Sequence, residues 1–108
     1  MKKKRPDTAR TARRRAERDA DKLARDRERL FALSPGGSAE RALTVESASV
    51  VDTRARSVPC PRCDGEHELL EHKAVQLAGE RLREACLRCR RCGSRRSLFF
   101  RLDEHLPN

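Results

Sequence analysis

The chain has 108 residues, of which 40% are charged and only 3% aromatic, with neither tryptophan nor tyrosine. That composition has material for one small domain and an extension, and it excludes a conventional core running the full length. The 26 Lys and Arg against 17 Asp and Glu give a net charge of +9, placed unevenly: residues 1–31 carry +7 and residues 32–108 carry +2.

Residues 1–33 read as a basic, helical arm. Met1 to Arg5 form a basic tip expected to lack order, and Thr8 to about Leu33 are good helix formers uninterrupted by Gly or Pro. Asp7 or Thr8 offers an N-cap, and Ser34-Pro35-Gly36-Gly37 stops the helix. Opposite charges four apart, Arg15–Asp19 and Asp21–Arg25, would each add a few tenths of a kcal/mol. Ala9, Ala16, Leu23 and Leu30 recur every seven residues, but Asp19 and Asp26 occupy the companion seam. A coiled coil is thus weakly encoded, and a solvated single helix is the plainer reading. Arg13, Arg14 and Arg15 are its candidates for touching phosphate.

Residues 34–57 read as a linker with a possible short strand or helix. Ser34 to Glu40 has flexible-linker composition. Leu43, Val45, Val50 and Val51 stand among small polar residues, which suits one or two short strands or a helix begun at Ser47 or Ser49. Arg54 and Arg56 fall close to the cysteines that follow.

Residues 58–102 carry the chemistry. Cys60-Pro61-Arg62-Cys63 and Cys89-Arg90-Arg91-Cys92-Gly93 are Cys-x2-Cys pairs with 25 residues between them, the spacing of a four-thiolate zinc site. Glycine follows each pair, as Gly65 and Gly93, where a loop must relax into a left-handed or strained conformation. Between and after the pairs the expected strands are Glu66 to Leu77, Arg81 to Cys89 and Ser97 to Leu102, with a turn at Ala78-Gly79-Glu80. So few apolar groups need a staple, and zinc on thiolates contributes on the order of 10–16 kcal/mol to folding. The expected cofactor is one structural zinc per chain on Cys60, Cys63, Cys89 and Cys92; the same thiolates would also hold a single iron. Arg62, Arg88, Arg90, Arg91, Arg95 and Arg96 stand ready to offset the −2 charge of such a site.

Cys86 forms a second overlapping pair with Cys89, but on a strand it points to the opposite face. It reads as a small half-buried hydrophobe, or in a sharper reading as a spare ligand or redox thiol. His67, His72 and His105 read as surface or strand-face residues, and 103–108 as a frayed tail.

At its knuckles the chain resembles the zinc-ribbon superfamily, whose members occur in RNA polymerase subunits, transcription factors, ribosomal proteins and topoisomerase tails. Asp64 departs from the pattern, standing where the first knuckle often has glycine. The acidic hairpin tip of the elongation-factor ribbons is missing too: here the tip is Ala78-Gly79-Glu80, followed by Arg81. The resemblance covers less than half the chain and implies the ribbon alone. With the arm and linker read from the residues, the expected fold is a small metal-stabilised α+β chain: N-terminal basic helix, flexible linker, and C-terminal three-stranded antiparallel zinc ribbon.

Three functions remain open at this point. The first is non-catalytic binding of DNA or RNA through the basic helix and the arginine-rich knuckle, with Arg90, Arg91, Arg95 and Arg96 added to the helix arginines. The second is a protein-interaction module docking on a larger transcription- or translation-type assembly, anchored by Leu23, Leu30, Phe31 and Leu33. The third is a thiol redox or metal sensor using Cys86. Catalysis is not expected, because no open metal position, nucleophile–base pair or phosphate-cradling glycine loop is present. The start Met1-Lys2-Lys3-Lys4-Arg5-Pro6 has no apolar run behind it, so the expectation is no membrane span and a reducing cytoplasm. The oligomeric state is left open.

Overall fold

A computed structural model of the chain describes residues 8–103, so the basic tip and His105 lie outside the described residues. The first helix, α1, spans Ala9–Leu33. Thr8 caps it by accepting the Thr11 N–H at 3.1 Å, and Ser34 closes it with its N–H on Phe31 O and its hydroxyl on Leu30 O. None of its residues is buried. Its last two turns meet the rest of the chain through Glu28 and Phe31, three residues apart on one face. The helix therefore stands out as an arm, and the molecule measures 73 × 27 × 17 Å.

The stretch expected to be a flexible linker is folded. Gly36, buried and at φ 84°, takes the Arg41 O on its N–H and gives its own carbonyl to the Phe99 N–H at 2.8 Å. A 3-10 turn, Ala39–Arg41, leads into strand β1, Leu43–Val45, and then helix α2, Ala48–Ser57. The sequence left strand and helix open here, and the chain uses both, with Ser47 at the N-cap of α2.

Strands β2, His67–Leu77, β3, Glu80–Cys89, and β4, Arg95–Leu102, follow. The sheet order is β1-β4-β3-β2, which corrects the expected count: among the described residues there are four strands, not three. The extra strand is β1, paired parallel to β4 with Leu43 opposite Phe100 and Val45 opposite Leu102. Three residues are too few to show a period, and a parallel partner that distant in sequence leaves no local signal. The imperfect alternation of β2 has a cause as well: a bulge between Leu69 and Glu71 turns Leu70 outward.

One face of the sheet carries the core. Ala85, Leu87, Leu98 and Phe100 meet Val51 and Ala55, one turn apart on α2, together with Val45. Phe31 of the arm and Leu43 pack at its margin. Asp52 of α2 reaches His72 of β2 at 2.7 Å, which pins the helix across the sheet. No helix among the described residues is long and apolar enough to cross a membrane.

Candidate metal centre

Both Cys-x2-Cys pairs form the expected tight turns. In the first, the Asp64 N–H bonds Cys60 O at 2.8 Å; in the second, the Gly93 N–H bonds Cys89 O at 3.0 Å. The residue directly after each pair is left-handed, Asp64 at φ 59° and Gly93 at φ 77°. Asp64 thus fills the position where glycine would be usual, which short polar side chains tolerate. Gly65 is needed for a reason the sequence does not reveal. A Cβ there would lie 2.8 Å from both Cys89 Sγ and Arg91 Cβ, so it is close approach, not a left-handed backbone, that requires glycine.

The fold brings Cys60, Cys63, Cys89 and Cys92 together, with all four sulfurs within 4.8 Å of one another. Cys60 and Cys92 Sγ are 3.7 Å apart, and Cys63 and Cys89 Sγ 3.4 Å. Four thiolates around one ion at about 2.3 Å have edges of about 3.8 Å, so this set fits a tetrahedral metal site. The Arg91 and Cys92 N–H groups point at Cys89 Sγ, at 3.3 and 3.4 Å. Cys60 and Cys89 are buried, Cys63 is half-buried and Cys92 faces solvent.

The thiols are unequal. Burial pushes Cys60 up, but the Ser94 hydroxyl, the Arg62 and Cys63 N–H groups and Cys92 outweigh it and bring it down to about 6. Cys89 is lowered, first by the Cys92 N–H and against burial, with help from the Arg91 N–H. Cys63 is pushed up to about 11, by burial first and then by its hydrogen bond with Cys89. The site therefore favours the thiolate at Cys60 and keeps at least one thiol, Cys63, that must give up a proton to a metal ion.

Around the sulfurs lies a layer the sequence reading missed. The Ser94 hydroxyl is 3.0 Å from Cys92 Sγ and 3.6 Å from Cys60 Sγ, and it accepts from Arg96 Nη2 at 2.7 Å. The Arg96 side chain is only 5% exposed. It also donates to both carboxylate oxygens of Glu28 on α1, at 3.0 and 3.3 Å, and to His67 Nε2, and it covers the Phe31 ring at 5.8 Å. His67 is buried, with Nδ1 donating to Val58 O at 2.7 Å; of the two places expected for it, surface or strand face, it takes a strand face, at the start of β2. Burial lowers the Arg96 pKa, but Glu28 outweighs it and the net shift is upward, so the cation is secure. Glu28 and Ser94 carry no motif; one of several acids on a basic helix and a serine after a knuckle are too common to single out.

Comparison of the chain with protein-family models, curated proteins and solved structures finds no match.

The other sequence-derived candidates separate into two groups. Near the thiols, Arg91 Nη1 donates to Cys63 O, Arg90 lies 3.9 Å from Glu68, and Arg95 is exposed. Arg96 is withdrawn from the candidate surface, because every face of its guanidinium is taken inside the fold. Arg62 and Arg88 likewise turn to Glu28 and Glu68. Arg56 sits beside the first knuckle, in a hollow shared with Pro59, Asp64 and Arg90. Arg13, Arg14 and Arg15 lie far along the exposed arm, apart from the knuckle group. Cys86 stands outside the cluster, on the other face of β3, near Glu84 Oε2 and Ser97. Burial raises its pKa and Glu84 adds to this, which leaves it a poor nucleophile at neutral pH.

Proposed function

We propose that this is a non-catalytic protein of the zinc-ribbon kind, held together by one structural zinc, that binds nucleic acid by phosphate contact through its basic arm. Zinc suits a closed set of four thiolates with no position left for water. The observation that carries the binding reading is the set of exposed arginines on α1. Among the described residues Arg13, Arg14, Arg18 and Arg25 have no carboxylate partner, while most knuckle arginines are paired within the fold. Arg95, with Arg90 beside it, is what the knuckle adds.

A second reading has one observation in its favour. Leu23, Leu30 and Leu33 are 50%, 65% and 59% exposed along the arm, an apolar edge suited to a protein partner. A stoichiometric partner that co-purifies after nuclease treatment would favour it.

The test has two parts. Protein purified without a metal-binding tag should hold one zinc per chain, lost in Cys60→Ser and kept in Cys86→Ser; no metal, or loss with Cys86→Ser, would refute the site, and a single iron would refute zinc as its occupant. Nucleic-acid binding should weaken steeply between low and moderate salt, and no binding at low ionic strength would sink the functional reading.

A further inference from the structure

At about 100° per residue, Arg14, Arg18, Lys22, Arg25 and Arg29 follow one another on α1 at steps of four, four, three and four, and so form one straight ridge. All five are exposed, and the ridge runs for about 22 Å along the helix. It is not the face that meets the rest of the fold, which belongs to Glu28 and Phe31. Arg14, Arg18 and Arg25 have no ion-pair partner among the described residues, and Lys22 and Arg29 share the single carboxylate of Asp26, at 3.3 and 3.9 Å. We propose that this ridge, not the knuckle, is the principal phosphate-binding surface, and that its target is the backbone of a double helix. The inference rests on the nucleic-acid reading above and narrows it.

Two observations choose the double helix. The first is the lack of a stacking platform. The chain's aromatics are three phenylalanines; Phe100 is buried in the core, Phe99 is half-buried on the sheet, and Phe31 is half-buried beneath Arg96. Single strands are held largely by bases stacked on exposed aromatics, and this surface has none to offer. What remains is charge, and a duplex presents one phosphate per about 1.7 Å of axis against about 3.4 Å for one of its strands. The second observation is the width of the ridge. Glu17 and Asp21 border it on one side, and Asp19 and Asp26 on the other. Acids on both flanks would meet phosphates if the helix lay deep in a groove, so the ridge fits one strand of the backbone from outside and reads no bases. The same flanking acids, with alanines filling much of the opposite stripe, make the arm unsuited to a lipid surface.

The experiment measures fluorescence anisotropy of the zinc-loaded full chain with a labelled DNA duplex, a duplex RNA and the single DNA strand, over a salt series. It compares the ridge variant Arg14→Gln/Arg18→Gln/Arg25→Gln with the charge-matched variant Arg10→Gln/Arg27→Gln/Arg41→Gln. Zinc content and circular dichroism confirm that both fold. If five phosphates are engaged, affinity for either duplex drops about 500-fold between about 50 and about 200 mM salt, and only about tenfold in the ridge variant. The charge-matched variant keeps the steep dependence, and DNA and RNA duplexes, alike in backbone charge, both bind more tightly than the single strand. Equal effects of the two variants, or a single strand bound as tightly as the duplexes, would overturn the ridge-and-duplex inference while leaving nucleic-acid binding intact. Polyglutamate displacing the duplex at equal charge would overturn it in favour of an acidic protein. No binding of any nucleic acid at the lowest salt would remove the underlying reading itself.

Discussion

Two glycines that look alike in sequence perform different tasks at the metal centre, and substitution separates them. Gly65→Ala places a methyl 2.8 Å from a ligand sulfur, so the knuckles must part. Expected is a loss of about 2–3 kcal/mol and a faster transfer of zinc to a competing chelator. Gly93→Ala meets nothing within 4 Å and should cost only the left-handed backbone, about 1 kcal/mol, with zinc retained. Urea unfolding and chelator kinetics read both. The thiols predict a pH dependence too. Cys60 sits at about 6, below its ordinary 9.0, so the contacts favouring its thiolate stabilise the fold above pH 9.0, and that stabilisation is lost as pH falls through about 6. Cys63 has the opposite sign: at about 11, its contribution is full below 9.0 and lost as pH rises through 11. Zinc loading at neutral pH should therefore release protons, visible with an indicator in weak buffer, and retention should decline as pH drops through 6. Loading without proton release would contradict this arrangement.

At the scale of elements, the arm is held by a few polar contacts. Glu28 bridges Arg96 and Arg62, and Phe31 lies under the same guanidinium. Glu28→Gln should leave a buried cation short of its partner and cost about 2 kcal/mol or more. Amide exchange should then quicken in the last turns of α1, while β2 and β3 stay protected. Uniform protection across both would show that Glu28 is not the tether. The hairpin offers a gain instead. Ala78 and Gly79 both have positive φ, and Leu77 pairs with Glu80, the two-residue turn that favours Asn-Gly. Ala78→Asn should stabilise by about 0.5–1 kcal/mol, read as a raised Tm.

For the whole molecule, the buried residues are few, and several of the largest fully buried side chains are cysteines or their neighbours in the sheet. On the proposed reading a core this small would depend on a bound metal, so chelation should unfold the sheet cooperatively and abolish near-native amide protection in β3 and β4. If β3 and β4 stayed protected after complete metal removal, the metal would be an accessory to the fold and not its staple. The arm, which has no fully buried residue, would gain little from a bound metal beyond its anchor through Arg96.

Much of this was legible in the chain itself. Cysteine spacing named the four residues that cluster because tight knuckles are local, and period-two alternation within each strand sets Ala85 beside Leu87 and Leu98 beside Phe100. The run of helix formers from Thr8 ended at the Ser34-Pro35 signal, for equally local reasons. Tertiary structure alone decided the rest. It set β1 against β4 through a parallel pairing with no local trace, and it stitched Gly36 to Phe99 in a stretch whose composition resembles a linker. It also turned Arg96 inward, where a surface arginine was the sound expectation from sequence. That last choice depends on Glu28, sixty-eight residues away, arriving beside Ser94 and His67. Burying a guanidinium costs free energy unless its donors are met, and only the assembled fold meets them.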